Sequence, residues 1–211
     1  MNDLVIIVDY GMGNLRSVSK ALEFLGFEAE ITRDPDRISR ADHLILPGDA
    51  AFGAAMDNLR RYGLLDVVLQ AIRSGKPFLG ICAGIQLLMD QSEERGVHAG
   101  MGVVPGKVLK FFQKADTNPY TSTLKVPHMG WNTIRIRKNA PIFRGVPDGS
   151  MMYFVHSYYV VPEGDVVAAT TDHGIEFCSV IWKDNVYATQ FHPEKSGSVG
   201  LQMLANFVEL S

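Results

Sequence analysis

The chain has 211 residues, 46% of them hydrophobic and 20% charged, with a net charge of −3 and a pI near 6.1. That length and balance describe one globular domain with ample material for a core, and they speak against a wholly disordered chain and a basic nucleic-acid binder. No apolar run approaches membrane-spanning length, and two cysteines give neither a disulfide framework nor a metal-ligand spacing.

Residues 4–9 form a continuous β-rich run, as expected of a strand buried on both faces. The strand begins so near Met1 that no secretory leader is expected, and an unpaired thiol suits a reducing cytoplasm. Asn14 is placed to cap a helix running to about residue 24, with Gly26 beyond its end. After a short polar segment, residues 43–46 read as a second buried strand. Residues 52–74 carry a helical pattern, interrupted near Gly63 and closed by Gly75. Residues 78–81 form a strand leading to Cys82, and residues 85–89 a helix leading away. This βαβα alternation predicts a parallel sheet covered by helices.

The second half changes character. Residues 103–110, 131–137, 151–161, 165–171, 176–182 and 185–190 are predicted strands, separated by Gly, Pro, Asp and Asn turns. Lys183-Asp184-Asn185 is a hairpin turn, and the short connections predict several antiparallel pairs. A helix over about residues 200–209 ends the chain. No repeat, low-complexity tract or linker divides it, so residues 1–211 are expected as a single domain.

The chemistry concentrates in two places. Cys82 lies between Gly80 and Gly84 as G-x-C-x-G, where an apolar run meets a helical one. A nucleophile on a sharp strand-to-helix turn needs small neighbours there, and such a turn aims the following backbone N–H groups at the same spot. His192 and Glu194 lie two apart across Pro193; on an extended segment they share a face, so Glu194 is placed to orient an imidazole that takes the Cys82 proton. Each piece alone has a plainer reading. A free cysteine is more often a small buried hydrophobe, and most H-x-E pairs are surface residues. Together they are far more specific. Gln86, at i+4 from Cys82, faces the same side of the helix. Cys178, in EFCSVIW, reads as a structural strand residue.

Six stretches carry a family resemblance: DYGMGNLRSV (9–18), LPGDAAFGAAM (46–56), LGICAGIQLL (79–88), VPHMGWN (126–132), YFVHSYYV (153–160) and QFHPEKSG (190–197). In these the chain resembles the class I (triad-type) glutamine amidotransferases over essentially its whole length, and most closely the glutaminase subunits of imidazole glycerol phosphate synthase. The Cys and H-P-E turns are shared by the whole class, whereas GMGNLRS, PHMGWN and FVHSYY are more specific to the subfamily. The resemblance implies a three-layer, flavodoxin-like α/β fold with a mixed, largely parallel central sheet and an antiparallel-rich second half. It implies hydrolysis of L-glutamine to glutamate and ammonia through a cysteine thioester, with no metal or cofactor and no nucleic-acid or membrane partner. The ammonia passes within a heterodimer to a (β/α)8-barrel cyclase subunit. There it is used to make imidazole glycerol phosphate and an aminoimidazole carboxamide ribonucleotide in histidine biosynthesis.

Residue by residue, the resemblance assigns Cys82, His192 and Glu194 to the triad. It assigns the Ala83 N–H, and the Asp49 N–H on a loop built around Gly48, to the oxyanion hole. Gln86 and Glu94 would hold the amino-acid end of glutamine, and backbone near His156, Ser157 and Tyr158 its carboxylate. Without the resemblance, Glu94 reads as part of a solvated polar run. Asn14, in the 11–14 loop, and Trp131 and Tyr153 match positions facing the partner, although a Trp or Tyr is more often core; Lys195, next to Glu194, faces either the partner or solvent. The 11–14 loop has only two of the three glycines of a nucleotide fingerprint, since position 16 is Arg, and is assigned to the subunit interface. One departure stands out: the family's usual PGVGAFG reads Pro47-Gly48-Asp49-Ala50-Ala51-Phe52-Gly53 here. The resemblance also implies low activity in the isolated chain, released by the synthase partner. Three other readings compete: a glutaminase serving a different synthase, a non-catalytic scaffold that has kept the fold, and a free-standing hydrolase of γ-glutamyl bonds. The PHMGWN and FVHSYY segments argue against the first and third, and the intact triad residues against the second.

Overall fold

The computed structural model describes residues 3–112 and 124–210. The first strand, β1 (Val5–Val8), is buried along its length, as its unbroken apolar run demands. Helix α1 (Leu15–Phe24) follows and ends at Gly26, whose φ is +85°. Asn14 occupies the N-cap position without capping: its side-chain oxygen accepts from the Ser17 hydroxyl at 2.7 Å, not from a backbone N–H. Its backbone (φ −83°, ψ 60°) lies off the extended conformation that aims a capping side chain along the helix.

The polar segment before residue 43 holds two elements the hydrophobic pattern does not predict, β2 (Ala29–Thr32) and α2 (Pro35–Ser39). β2 is an edge strand with no fully buried residue, so its apolar signal is thin. α2 has Pro35 in its first turn and Asp34 as its cap, accepting from the Asp36 N–H at 2.9 Å. Next come β3 (His43–Gly48), α3 (Phe52–Arg61) and α4 (Leu64–Arg73), the two helices parted at Gly63 (φ +68°) as expected. β4 (Phe78–Cys82) runs straight into the short helix α5 (Ala83–Leu87).

The second half contains β5 (Gln91–Ser92), β6 (His98–Ala99), β7 (Gly106–Lys110), β8 (His128–Thr133), β9 (Arg135–Ile136), β10 (Met151–His156), β11 (Tyr158–Pro162), β12 (Val167–Asp172), β13 (Glu176–Lys183), β14 (Val186–Thr189) and α6 (Gly197–Val208). Two expectations need correction. Residues 151–161 are two strands, broken at Ser157, whose carbonyl accepts from the Phe111 N–H at 3.0 Å. Residues 131–137 begin a strand at His128 and break at Ile134. β8 and β10 pair antiparallel as a separate two-stranded sheet. The hairpin at Asp184-Asn185 forms as expected, with Lys183 opposite Val186.

The main sheet runs β2-β1-β3-β4-β14-β13-β11-β7-β5-β6, with β12 folded back on β13. From β2 to β14 all pairs are parallel; from β13 onward most are antiparallel. The mixed, largely parallel sheet with an antiparallel-rich second half, expected from the sequence, is therefore present. Alternation along β1 divides the core. Ile6 and Val8 pack with α3 and α4 residues such as Met56 and Val68, while Val5 and Ile7 pack with Val18, Leu22, Leu204 and Phe207 of α1 and α6. Each such fully buried side chain contributes about 1.5–3 kcal/mol of transfer free energy. Among the described residues no helix is long and apolar enough to cross a membrane.

The sheet order brings distant residues together. β14 pairs in parallel with β4, Thr189 opposite Ile81, and β3 pairs with β4 on its other side, Gly48 opposite Cys82. Cys82, the segment after Thr189 and the 48–51 loop therefore all emerge at one edge. The glycines around Cys82 have a steric cause. A Cβ on Gly84 would sit 2.2 Å from the Leu46 carbonyl oxygen, and one on Gly80 would sit 2.8 Å from the Gly84 carbonyl. Because Leu46 and Gly84 meet backbone to side, neither can yield without displacing a central strand. Gly84→Ala is expected to destabilise the protein by about 3 kcal/mol, read as a lower urea midpoint. Ser74→Ala, which costs only the exposed hydroxyl's bond to the Ala71 carbonyl, should cost about 1 kcal/mol or less.

Candidate active site

Cys82 ends β4 and begins α5 with φ +56° and ψ −106°, a conformation that L-residues rarely adopt. The strained turn holds Sγ at the floor of a cleft of about 640 Å³. That cleft is lined by Cys82, Ala83, Asp49, Gln86, Glu94, His156, Ser157, Tyr158 and His192. Glu194 and Gly48 stand behind this lining, Glu194 against His192 and Gly48 beneath Ala83, where an added Cβ would meet the Ala83 Cβ at 2.5 Å.

His192 Nδ1 lies 2.8 Å from Glu194 Oε1, and both side chains are almost wholly buried. The two side chains meet, but not through an extended segment: Pro193–Lys195 is a single 3-10 turn that folds Glu194 back under the ring. The turn is stitched to β10. The His192 N–H donates to the Tyr153 carbonyl, and Ser196 Oγ accepts from the Tyr153 N–H at 3.0 Å while donating to the His192 carbonyl at 2.6 Å. Burial disfavours a charged His192 and is the largest single influence on it. The hydrogen bonds and charges of Cys82 and Glu194 together outweigh it and push the ring's pKa up to about 10. Cys82 acts at close range even though no hydrogen bond of normal geometry joins Sγ to Nε2, which is buried without a partner. Such contacts commonly tighten only when substrate is bound.

Gln86 is buried, and its Nε2 donates to the Tyr158 carbonyl at 3.0 Å and to Gln190 Oε1 at 3.3 Å. Gln190, not singled out from the sequence, also directs Nε2 at Cys82 Sγ from 3.9 Å. Its position two residues before His192 in the QFHPE stretch was the available signal. Glu94 is no solvated face: Oε2 accepts from the Phe52 N–H at 2.7 Å, at the start of α3, and the residue borders the cleft. Arg95 and Lys110 add positive charge to the rim.

The departure in the 47–53 loop has a structural consequence. Asp49 Oδ1 accepts from the Gly13 N–H at 2.8 Å, tying this loop to the turn after β1. Gly13 has φ +93°, and a Cβ there would lie 2.9 Å from the Pro47 carbonyl, so the approach requires glycine. The buried Tyr10 hydroxyl donates to that carbonyl at 2.8 Å. Neither Asp49 nor Ala50 has a positive φ in this arrangement.

Asn14, Trp131, Tyr153 and Lys195 lie outside the cleft lining. Trp131 and Tyr153 are directly opposed across the small sheet, their rings 6.2 Å apart. Trp131 is 53% exposed and shares its face with Met129 (63%) and Met151 (48%). Lys195 is half-buried, one residue from the Ser196 that bonds β10.

A strained cysteine at a strand end, an adjoining imidazole held by a buried carboxylate and a flanking glycine loop are the parts of an acyl-transfer site. A family model described as "Glutamine amidotransferase class-I" matches residues 6–210, and the chain belongs to that class. It is 53% identical over 208 residues to the imidazole glycerol phosphate synthase subunit HisH of Syntrophotalea carbinolica, a match covering 98% of this chain and 100% of the relative. The HisH subunits of Geobacter sulfurreducens (51% identical, 98% of each chain) and Methanothermobacter thermautotrophicus (47%, 98% of each) are similar over the same extent. Within the class, the chain is thus a member of the HisH family. Among solved structures it resembles a glutamine amidotransferase (TM-score 0.73, 19% identity, 98% of this chain and 100% of that one). It also resembles PurLQS from Thermotoga maritima (0.73, 20%, 99% and 98%). At those identities the likeness is one of fold.

The His192 environment predicts a pH dependence. Its folded pKa is raised above the ordinary 6.5, so its stabilising contribution is complete below that value and is lost as pH rises through about 10. Glu194→Gln removes one of the two groups that raise it. The fall in Tm between pH 6.5 and pH 10 should therefore be smaller in Glu194→Gln than in the wild type.

Proposed function

We propose that the chain is the glutaminase of an imidazole glycerol phosphate synthase and that Cys82 is its nucleophile. Sγ attacks the side-chain amide carbon of L-glutamine, forming a tetrahedral oxyanion and then a γ-glutamyl thioester with loss of ammonia. Cys82 and His192 share one proton, which the raised pKa of the ring places on the imidazole; His192 gives it to the departing ammonia, while Glu194 holds the ring's tautomer and offsets its charge. Water then releases glutamate. The Ala83 N–H and the Asp49 N–H, on the loop built on Gly48, stabilise the oxyanion; losing one such donor costs about a hundredfold or more in turnover. Glu94 receives the substrate ammonium, Gln86 borders its amino-acid end, and the 156–158 backbone receives the carboxylate. The observation that carries this reading is the pairing of β4 with β14, which sets the strained Cys82 beside the His192–Glu194 pair.

Residues 1–211 act as one catalytic unit in the cytoplasm, as a heterodimer with a (β/α)8-barrel cyclase subunit that consumes the ammonia in histidine biosynthesis. The outer face of the small sheet (Trp131, Tyr153), with Lys195 and Asn14, meets that partner. An exposed apolar patch rimmed by polar residues supports this placement. Activity in the isolated chain is low and is released when the partner's site is filled.

The test is glutamate release from glutamine, with and without the cyclase subunit and its nucleotide ligand. Release that is low alone and rises strongly in the loaded complex is expected; comparable release from the chain alone would sink the gating. Cys82→Ala should abolish release while leaving complex formation intact, which a scaffold role does not predict. Trp131→Ala should weaken binding of the cyclase roughly tenfold or more by titration calorimetry, as expected for an aromatic anchor.

A further inference from the structure

The wall of the cleft is backed by a chain of hydrogen bonds that the proposed chemistry does not use. His156 lines the cleft; its Nδ1 lies 2.8 Å from the Tyr158 carbonyl and its Nε2 3.0 Å from His128 Nδ1. His128 Nε2 lies 3.1 Å from Asn132 Nδ2, which also donates to the Asp172 carbonyl at 2.8 Å. Asn132 Oδ1 accepts from the Thr133 N–H at 2.8 Å, so the amide has one consistent orientation.

The direction of every bond follows from the two ends. The Tyr158 carbonyl can only accept, so His156 carries its proton on Nδ1. Burial pulls His156 down to about 3 and His128 down to about 4, so both rings are neutral at pH 7. His156 Nε2 must then accept, and His128 Nδ1 must donate. His128 Nε2 is left as an acceptor, and the Asn132 amide is the donor facing it. A proton added to either ring would set two donors against each other. All four ring nitrogens are taken, so no lone pair is left for a metal. His173 stacks on His128 with ring centres 4.2 Å apart and fixes its plane.

We propose that Asn132 and His128 are positioning residues for glutamine binding: they pin the outer nitrogen of the His156 ring, whose tautomer the Tyr158 carbonyl sets, and so fix the ring's orientation and the 156–158 backbone that borders the substrate. The Tyr158 carbonyl is the shared terminus, accepting from both His156 and Gln86. The relay lies on β8, whose other face carries Met129 and Trp131, so a displacement of that face reaches the substrate wall through two hydrogen bonds. The kinetic part of this inference rests on the glutaminase reading; the hydrogen-bond part does not.

The experiment has two readouts. In the complex with the cyclase subunit, His128→Phe keeps a ring in the stack but removes both nitrogens. It should raise KM for glutamine about tenfold, the worth of one buried hydrogen bond, with a much smaller change in kcat. His128→Gln, whose amide can donate to His156 Nε2, should restore most of the loss. In long-range 1H–15N spectra of the full chain, His156 should show a single Nδ1–H tautomer, and its unprotonated Nε2 should move downfield in His128→Phe as the bond from His128 is lost. An unchanged KM or an unchanged Nε2 shift overturns the proposal. If His128→Phe does not fold, Asn132→Ala, at a half-buried position, takes its place: His128 Nε2 should move downfield and KM should rise, and the absence of either change is equally fatal. Absence of glutamine turnover in the wild-type complex would refute the glutaminase reading and leave the Nε2 shift to decide the relay.

Discussion

The structure depends on the parallel pairing of β14 with β4. Without it, Cys82 and His192 are 110 residues apart (192 − 82) with no reason to meet. β14 enters the parallel half from the antiparallel hairpin with β13, so it belongs to both halves of the sheet. Its C-terminal end stops beside the end of β4, where open α/β sheets collect their ligand sites. The remaining site residues reach that edge by routes subordinate to this one. β3 delivers Gly48 and Asp49 as the other neighbour of β4, and β11 delivers Tyr158 from beyond β13.

Close packing at the turn makes that geometry rigid. The Gly84–Leu46 contact leaves no room for a side chain, and Cys82 accepts a strained backbone because β4 and α5 over-determine it. The strain keeps Sγ at the cleft floor without a flexible arm. The imidazole is held with equal economy. Glu194, Ser196 and Tyr153 fix the ring and its turn, so the imidazole is positioned by the backbone of β10 as much as by its own carboxylate.

How much of this was legible in the sequence follows from the range of each interaction. The βαβα half, the G-x-C-x-G turn and the Asp184-Asn185 hairpin are local patterns and were readable; the His192–Glu194 pairing was too, but it is made by a 3-10 turn rather than the extended segment expected. β2 and α2 were not, because an edge strand without a buried face and a five-residue helix carry little hydrophobic periodicity. The break at Ser157 was missed because the β-prone runs on either side of His156-Ser157 read as one strand; at the break the Ser157 carbonyl accepts from Phe111, 46 residues earlier (157 − 111). Asp49 read as an anomaly until its partner, Gly13, was found on another loop. Gln190 and the His128–Asn132 pair are of the same kind: ordinary residues locally, defined only by what faces them across the fold.

The small sheet has a consequence beyond catalysis. Met129, Trp131 and Met151 form an exposed apolar surface on a strand pair that has no third strand among the described residues. A chain made in excess of whatever covers that surface carries an adhesive patch into a crowded solution. If the proposed partner subunit is what covers it, matched synthesis of the two chains becomes a matter of solubility as well as of metabolic flux.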